Sequence, residues 1–402
     1  MKSLKHLSAF VLLVVSSSSI VQAELAKSNQ LPLAYQTQPI QLAMSIKAQQ
    51  AFVSDVKTAL VQIDSKLASK LCLNLLPDSR SKPQARCGTT ESARVQVYVA
   101  TAGHITHSYA NDASAFYRPI SMGSVAKILG LYVLARTAAR THESWCVKSF
   151  AELGNADGFL GYANCNAPGA YISGQRATAT SNNLAFRWRI AQVEANTIRA
   201  ELADIGVTNI TTDTHPAAAV ATGVVEVSPW LMLTLLSAVV DDAPPNATSF
   251  SLNPNFSVKA KTQFETLRQR LTPEVRAYIR ELLQEPIRHP NGTVRHLAGA
   301  LSKFAIAKSG TPTGSEGQTT GKLLIFSDQR PDGNWSTALI AIQSPKPSAA
   351  LGKNLSGSDF SALHKLAVEA GIQPLSSALT AAVKVRGRTN VAVSTSVALS
   401  PQ

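Results

Sequence analysis

Strand-like alternation occurs near both ends of this 402-residue chain, and a long helical stretch separates the two regions. On the N-terminal side, "ARVQVYVATAGHITHSYAND" alternates, turns at Ala102-Gly103 and alternates again, which predicts a β-hairpin. On the C-terminal side, "SKFAIAKSG", "GKLLIFSD" and "NWSTALIAIQS" are strand-like runs with connections short enough for an antiparallel meander. From Thr141 to about Pro286 the pattern is mostly helical, clearest in "NNLAFRWRIAQVEANTIRAELADIG" and "SPWLMLTLLSAVV". Strands that far apart share one sheet only if the helices between them fold away as an insertion. The expected fold is therefore α/β (α+β): an antiparallel sheet flanked by helices, with an all-helical lobe at about 141–290 inserted into it. A cleft between lobe and sheet is the natural place for a site.

Other segments fill in the flanks. "AMSIKAQQAFVSDVKTALVQIDSKLASKL" keeps an apolar stripe at helical period through Ile46, Phe52, Val56, Leu60, Ile63 and Leu67. "SMGSVAKILG" opens a helix expected to run to about Arg140, and "TPEVRAYIRELLQEPI" is a helix expected to stop at Pro286. "SGSDFSALHKLAVEAGI" is a late helix. The main domain is read as 45–375. Residues 24–44 are polar and Pro-interrupted, a linker, and 376–402 form a tail of small residues expected to be loose.

Residues 1–23 have a Lys2/Lys5 head, an apolar stretch around Leu7–Val15 and a Val21-Gln22-Ala23 ending, the layout of a cleavable secretory signal. The apolar stretch is short for a membrane span. An exported chain with Cys72, Cys87, Cys146 and Cys165 is expected to form two disulfides, with three pairings open. Cys72–Cys87 and Cys146–Cys165 each close a short polar loop and are favoured. Without CxxC spacing, zinc and thiol-redox readings are weak, and His104-x-x-His107 has no third ligand nearby, so no metal is expected. The net charge of +13 is scattered, with no basic block and no nucleic-acid module. Nucleic acid is not expected as a partner; attraction to an anionic envelope surface accounts for the charge.

Three strings then carry chemistry: Ser124-Val125-Ala126-Lys127 at a helix start, Ser181-Asn182-Asn183 in the helical block, and Lys308-Ser309-Gly310-Thr311 ending a strand. Each alone is a cheap match, readable as a snorkelling lysine, a helix cap and a polar turn. In this order and on these elements they are specific. The chain resembles the serine penicillin-recognising family, which includes penicillin-binding proteins and serine β-lactamases. "ATGVVEVSPWLMLTLLSAVV" and the approach "PEVRAYIRELLQEPIRHPNGT" to "FAIAKSGT" extend the resemblance from about Val95 to about Ile372.

The resemblance implies an antiparallel β-lactamase/transpeptidase-like fold and an acyl-enzyme on Ser124, with no cofactor. Lys127 would be the base once its pKa falls through burial and the charge of Lys308. Ser181 would relay the proton to the leaving amine, and Asn183 would hold Lys127 and the substrate backbone. The amides of Ser124 and Thr311 would form the oxyanion hole. Lys308 with Ser309 or Thr311 would receive a substrate carboxylate, and Gly310 would let the substrate strand lie close. The implied ligands are peptidoglycan stem peptides and β-lactams, as a D,D-transpeptidase, carboxypeptidase or endopeptidase; no protein partner in the envelope is identified.

Departures bear on which member is resembled. Glu194, Glu201, Glu226, Glu281 and Glu285 all lie outside a Glu-x-x-Leu-Asn string, so a class A β-lactamase is the second reading. Met122-Gly123 replaces Pro-Gly before Ser124, and "GKLLIFSDQ" lacks the family's Trp-Phe pair. A non-catalytic relative that binds wall peptide is the reading from another class.

Overall fold

The computed structural model of the chain describes residues 46–74 (side chains from 47 to 63), 94–101, 104–111, 116–137, 144–147, 165, 168–210, 216–240, 266–313, 319–343 and 360–372. The signal, the linker, the Ala102-Gly103 turn, the Cys72–Cys87 pairing and the tail at 376–402 lie outside those residues and their described side chains.

Helix α1 (Ile46–Asn74) precedes strands β1 (Arg94–Thr101), β2 (His104–Ala110) and β3 (Ile120–Ser121). A 3₁₀ turn at Gly123–Ala126 runs directly into α2 (Lys127–Arg136). Then come β4 (Trp145–Cys146), β5 (Tyr171–Ile172), α3 (Gly174–Ala179), α4 (Asn183–Ile190), α5 (Ala195–Asp204), α6 (Pro216–Thr222) and β6 (Glu226–Val227). Helices α7 (Pro229–Val240) and α8 (Pro273–Arg288) lead to β7 (Ile306–Gly310), β8 (Gly321–Gln329), β9 (Trp335–Gln343) and α9 (Ser361–Ile372).

Five strands form one antiparallel sheet in the order β2-β1-β9-β8-β7. The two sequence-distant halves join at β1 and β9, in continuous register from Arg94 opposite Gln343 to Thr101 opposite Ser336. The segments between β2 and β7 are therefore inserted between strands of one sheet, but the stretch expected to be all helical also carries the short strands β4, β5 and β6, and its helices α7 and α8 pack back onto the sheet. The expected hairpin and meander are both present.

Alternation then sorts the side chains into two cores. Val97 and Val99 of β1, Leu324 and Phe326 of β8, and Ala338, Ile340 and Ile342 of β9 pack with Phe52, Val56, Leu60 and Ile63 of α1 and with Leu363 and Ala367 of α9. Tyr98, Leu323, Ile325, Leu339 and Ala341 turn the other way, into the larger core shared with α2, α7 and α8. Each such buried aliphatic side chain contributes about 1.5–3 kcal/mol relative to exposure. Helix α7 is apolar apart from Thr234 and Ser237 and buried at every residue, as so apolar a helix must be. On edge strand β2, Ser108 presents its backbone outward and the Gln49 carboxamide of α1 meets it: Gln49 Nε2 donates to Ser108 O at 2.5 Å and Oε1 accepts from Ser108 N at 3.3 Å. That contact satisfies an edge that would otherwise invite strand addition.

Three expectations shift. Helix α2 ends at Arg136, because Thr137 is already extended (φ −92°, ψ 164°). The long segment after Ser181 is two helices, α4 and α5, separated where Glu194 takes extended backbone (φ −57°, ψ 139°). Pro286 does not stop α8; it sits inside the final turn, which continues to Arg288. Pro286 has no N–H to donate to the turn before it, while its own carbonyl, at the helix end, accepts from Val294 N at 2.9 Å. No helix among the described residues is long and apolar enough to cross a membrane.

Candidate active site

The site begins with a constraint on backbone. Gly123 has φ +49°, a region that favours glycine, and turns the chain from β3 into the 3₁₀ turn that presents Ser124. It is also a packing site: a Cβ on Gly123 would stand 2.6 Å from Pro312 N and 2.9 Å from Thr311 N. The amide of Thr311 is thereby brought against the residue preceding Ser124. A Cβ on Gly310 would stand 2.5 Å from Met122 O and 3.1 Å from Val125 N, so β7 touches the turn through its backbone. Around the rear, Ser121 Oγ donates to Gly223 O at 3.0 Å, and Gln343 Nε2 of β9 donates to Ser121 O at 2.7 Å.

Lys127 is the first residue of α2, three positions after Ser124, and is fully buried. Its Nζ lies 2.8 Å from Ser124 Oγ, 2.9 Å from Ser181 O and 3.1 Å from Ser181 Oγ, and also contacts Asn183 Oδ1. The Phe186 ring of α4 lies 5.4 Å from the same nitrogen. An aromatic face favours the charged form slightly, but burial wins and lowers the Lys127 pKa from 10.5 to about 7.

Ser181 is the non-glycine residue with positive φ (+54°) among those described. Such strain collects at functional sites. The left-handed step between α3 and α4 turns both its hydroxyl and its carbonyl onto Lys127. Asn182 performs the cap read from the sequence, accepting from Ala185 N at 2.9 Å. Asn183, at the first position of α4, is thus aimed at Lys127 by the helix that its neighbour starts.

Lys308 comes from the opposite wall. It shares the face of β7 that carries Ile306, and it too is fully buried. Its Nζ donates to Ser181 Oγ at 2.7 Å and to Ser309 O at 2.9 Å. Burial lowers its pKa well below 10.5, and the charge of Lys127 adds to the effect. Ser309 is half-buried, and Thr311 is exposed, its Oγ1 accepting from Lys322 Nζ at 3.2 Å. All eight residues expected at the site therefore surround one place.

That place holds two amines joined by one hydroxyl. A neutral Lys127 matches its neighbours well: two N–H groups for the two carbonyl oxygens, and a lone pair for the Ser124 hydroxyl proton. Ser181 Oγ then takes its hydrogen bond from Lys308. The arrangement can remove a proton from Ser124 and pass one back through Ser181.

No family model matches the chain, and no curated protein matches it. Solved structures do. The TP domain of penicillin-binding protein 3 from Burkholderia pseudomallei superposes with TM-score 0.51 at 13% identity, covering 83% of this chain and 97% of that one. A peptidoglycan glycosyltransferase from Burkholderia ambifaria gives TM-score 0.51 at 14% identity, with 83% and 100% covered. The fold is that of a penicillin-binding-protein transpeptidase domain.

Within this transpeptidase-domain fold, several neighbours of the site escaped the motif reading. Phe186 under Lys127, Gln343 behind Ser121 and Gly223 against Gly123 come from elements that only folding brings together. Lys322, whose Nζ donates to Thr311 Oγ1, lies outside the three strings. Cys146 and Cys165 are bonded as favoured, with Cα atoms 5.7 Å apart, closing the β4–β5 ribbon. His107 is a packed core residue, its ring 4.9 Å from Phe52 and its Nδ1 3.1 Å from Thr106 Oγ1. Among the described residues, no group of three or more His, Cys, Asp or Glu is placed to hold a metal ion.

Proposed function

We propose that this protein is a serine acyl-enzyme of the penicillin-binding kind, acting on peptidoglycan stem peptides as a D,D-transpeptidase, carboxypeptidase or endopeptidase, and acylated by β-lactams. The observation that carries the reading is the convergence of the Lys127 and Lys308 amines on Ser181 Oγ, with Lys127 also on Ser124 Oγ. Neutral Lys127 takes the Ser124 proton as Oγ attacks the substrate carbonyl carbon. The oxyanion that forms is held by the amides of Ser124 and Thr311, which the Gly123 contact brings together. The C–N bond then breaks, and the leaving amine receives its proton by way of Ser181. Water or a second amine attacks the resulting ester, with Lys127 again as base. The mature enzyme works in the bacterial envelope, where residues 1–23 direct it and where its substrate is found.

The glutamates weigh against the β-lactamase reading. Glu201 is bound to Arg136, Arg270 and Tyr132, and Glu281 accepts from Gln175. Glu226 is exposed on β6 opposite Ser121. None of them hydrogen-bonds Ser124, Lys127, Ser181 or Lys308 among the described contacts. Deacylation of a bound β-lactam should accordingly be slow.

The test is labelling of the mature protein with a fluorescent penicillin. Wild type is expected to retain about one label per chain for hours, and Ser124→Ala none. Absence of label in the wild type, or label surviving in Ser124→Ala, overturns the proposal. Rapid loss of label with excess drug consumed would transfer the assignment to the β-lactamase reading.

A further inference from the structure

Acyl transfer places a positive charge where the site has little to answer it. When Lys127 takes the Ser124 proton, its lone pair becomes an N–H bond. The Ser124 Oγ pair bonds the carbonyl carbon, and the carbonyl π pair moves to its oxygen. Lys127 is fully buried, so the new ammonium is cut off from water. Its partners in the protein are neutral oxygens: Ser124 Oγ, Ser181 O and Oγ, and Asn183 Oδ1. Carboxylates on the neighbouring elements are engaged elsewhere, Glu201 with Arg136 and Arg270, Asp204 with Arg270, and Glu281 with Gln175. The charge that reaches the same Ser181 hydroxyl, Lys308 of β7, is of like sign. Helix α4 adds Arg187 and Arg189, which are cations too.

Phe186 follows Asn183 by three residues in α4, so both side chains fall on one face of that helix. Asn183 offers Lys127 an amide oxygen, and Phe186 sets its ring with the centroid 5.4 Å from Nζ. Phe186 is fully buried. An aromatic face carries the negative side of the ring quadrupole, and its pull on a cation is strongest where water is excluded. The ring is held in turn by Trp145 of β4, which meets it at 88° with centroids 5.1 Å apart. A leucine would fill similar apolar space but has no such face.

We propose that Phe186 is a positioning residue for acyl transfer, its ring face stabilising the Lys127 ammonium that forms as Ser124 is deprotonated. This rests on the acyl-enzyme reading above. Neutral Lys127 gains little from the ring, so the interaction grows as the proton moves, and only such a growing interaction speeds a step. The consequence depends on pH. Above the Lys127 midpoint the resting amine is neutral and the transition state charged, so losing the ring slows acylation. Below it the amine is charged in both, and the loss cancels.

Acylation by a chromogenic β-lactam, followed on both sides of the Lys127 midpoint near pH 7, tests this. On the alkaline plateau Phe186→Leu should acylate on the order of tenfold more slowly, the scale of a desolvated cation–π contact. Its midpoint should lie about one unit lower, and its rate on the acid side should match wild type. A purely structural role gives the same loss at every pH with an unmoved midpoint, and that result overturns the proposal. Leucine also changes packing, so a second arm keeps the shape: residue 186 is replaced by phenylalanine carrying one, two or three ring fluorines, which drain the face of negative charge. The midpoint should fall stepwise along that series, and a flat series overturns the proposal. A titration separates this inference from the reading it rests on. NMR of the lysine ε-methylene groups, with Lys127→Met for assignment, follows the Lys127 proton without any acylation. That midpoint should also fall in Phe186→Leu, and no change overturns the role of Phe186 whether or not the wild type is acylated. A wild type that takes no label, with a Lys127 titration that shifts, overturns the acyl-enzyme reading while sustaining the contact between ring and ammonium.

Discussion

Lys127 has four oxygen neighbours, while an ammonium has three hydrogens, so its protonation state governs what the site can do. With its pKa lowered to about 7 by burial, the acylation rate should rise through a midpoint near pH 7 and fall below it. A stopped-flow pH series with a chromogenic β-lactam reads this directly. The same shift has a consequence for stability. The unfolded chain keeps the Lys127 proton up to its ordinary value of 10.5, whereas the folded chain releases it near 7. In that window the unfolded state binds more protons, so stability rises with pH between about 7 and 10.5, and the full cost of burying the charge is felt below 7. Urea midpoints at pH 6, 8 and 10 should show that slope in the wild type and a flatter one in Lys127→Met. Part of the slope remains in the variant, because Lys308 is shifted in the same direction.

Elements meet at this site through backbone contacts as well as through side chains, and glycine substitutions probe the backbone contacts. A Cβ on Gly223 (φ +79°) would overlap Gly123 O, whereas one on Gly333 (φ +81°) would meet nothing within 4 Å. Both substitutions to alanine incur the left-handed strain of about 1–2 kcal/mol. Only Gly223→Ala must also push α6 from the Ser124 turn, so it should cost about 2 kcal/mol more and abolish labelling, while Gly333→Ala labels normally. Gly310→Ala should behave like Gly223→Ala in labelling, because its Cβ would press β7 away from Met122 O. The β4–β5 ribbon acts at longer range. Trp145 on β4 meets the Phe186 ring edge-on with centroids 5.1 Å apart, and Phe186 in turn underlies Lys127. Losing the disulfide in a Cys146→Ser/Cys165→Ser double variant should lower stability by about 2–4 kcal/mol. It should also slow acylation before the protein unfolds, a difference that labelling rates measured well below the melting transition would detect.

Across the whole molecule, the sheet divides the chain into two cores with different duties. The face carrying Tyr98, Ile325 and Lys308 builds the site, and the face carrying Val97, Phe326 and Ile340 is closed by α1 and α9. Phe326→Ala empties a fully enclosed aromatic position on the second face and should cost about 3–5 kcal/mol. It leaves every contact of Ser124, Lys127, Ser181 and Lys308 in place. Folded Phe326→Ala should therefore label at the wild-type rate while its thermal midpoint drops. A matched loss of labelling at low temperature would show the two faces to be coupled.

Much of this architecture was readable beforehand because period-two and helical alternation survive without tertiary context. The hairpin, the meander, α1 and α7 all follow from it. The three strings were legible by their order and by the family resemblance they carry, and each lies within a few residues of one element boundary. What alternation does not encode is contact between distant segments. The two-residue strands β3 to β6 carry no pattern, and the Pro286 carbonyl at the end of α8 finds its donor in Val294, eight residues away and outside the helix. The sequence alone determined which hydroxyl- and amine-bearing residues make up the three strings and on which elements they ride. Only the tertiary structure decided that Lys127 and Lys308 are both enclosed and that Ser181 lies between them. Burial and distance, which set an amine's proton affinity, are properties of the packed molecule and not of any stretch of chain.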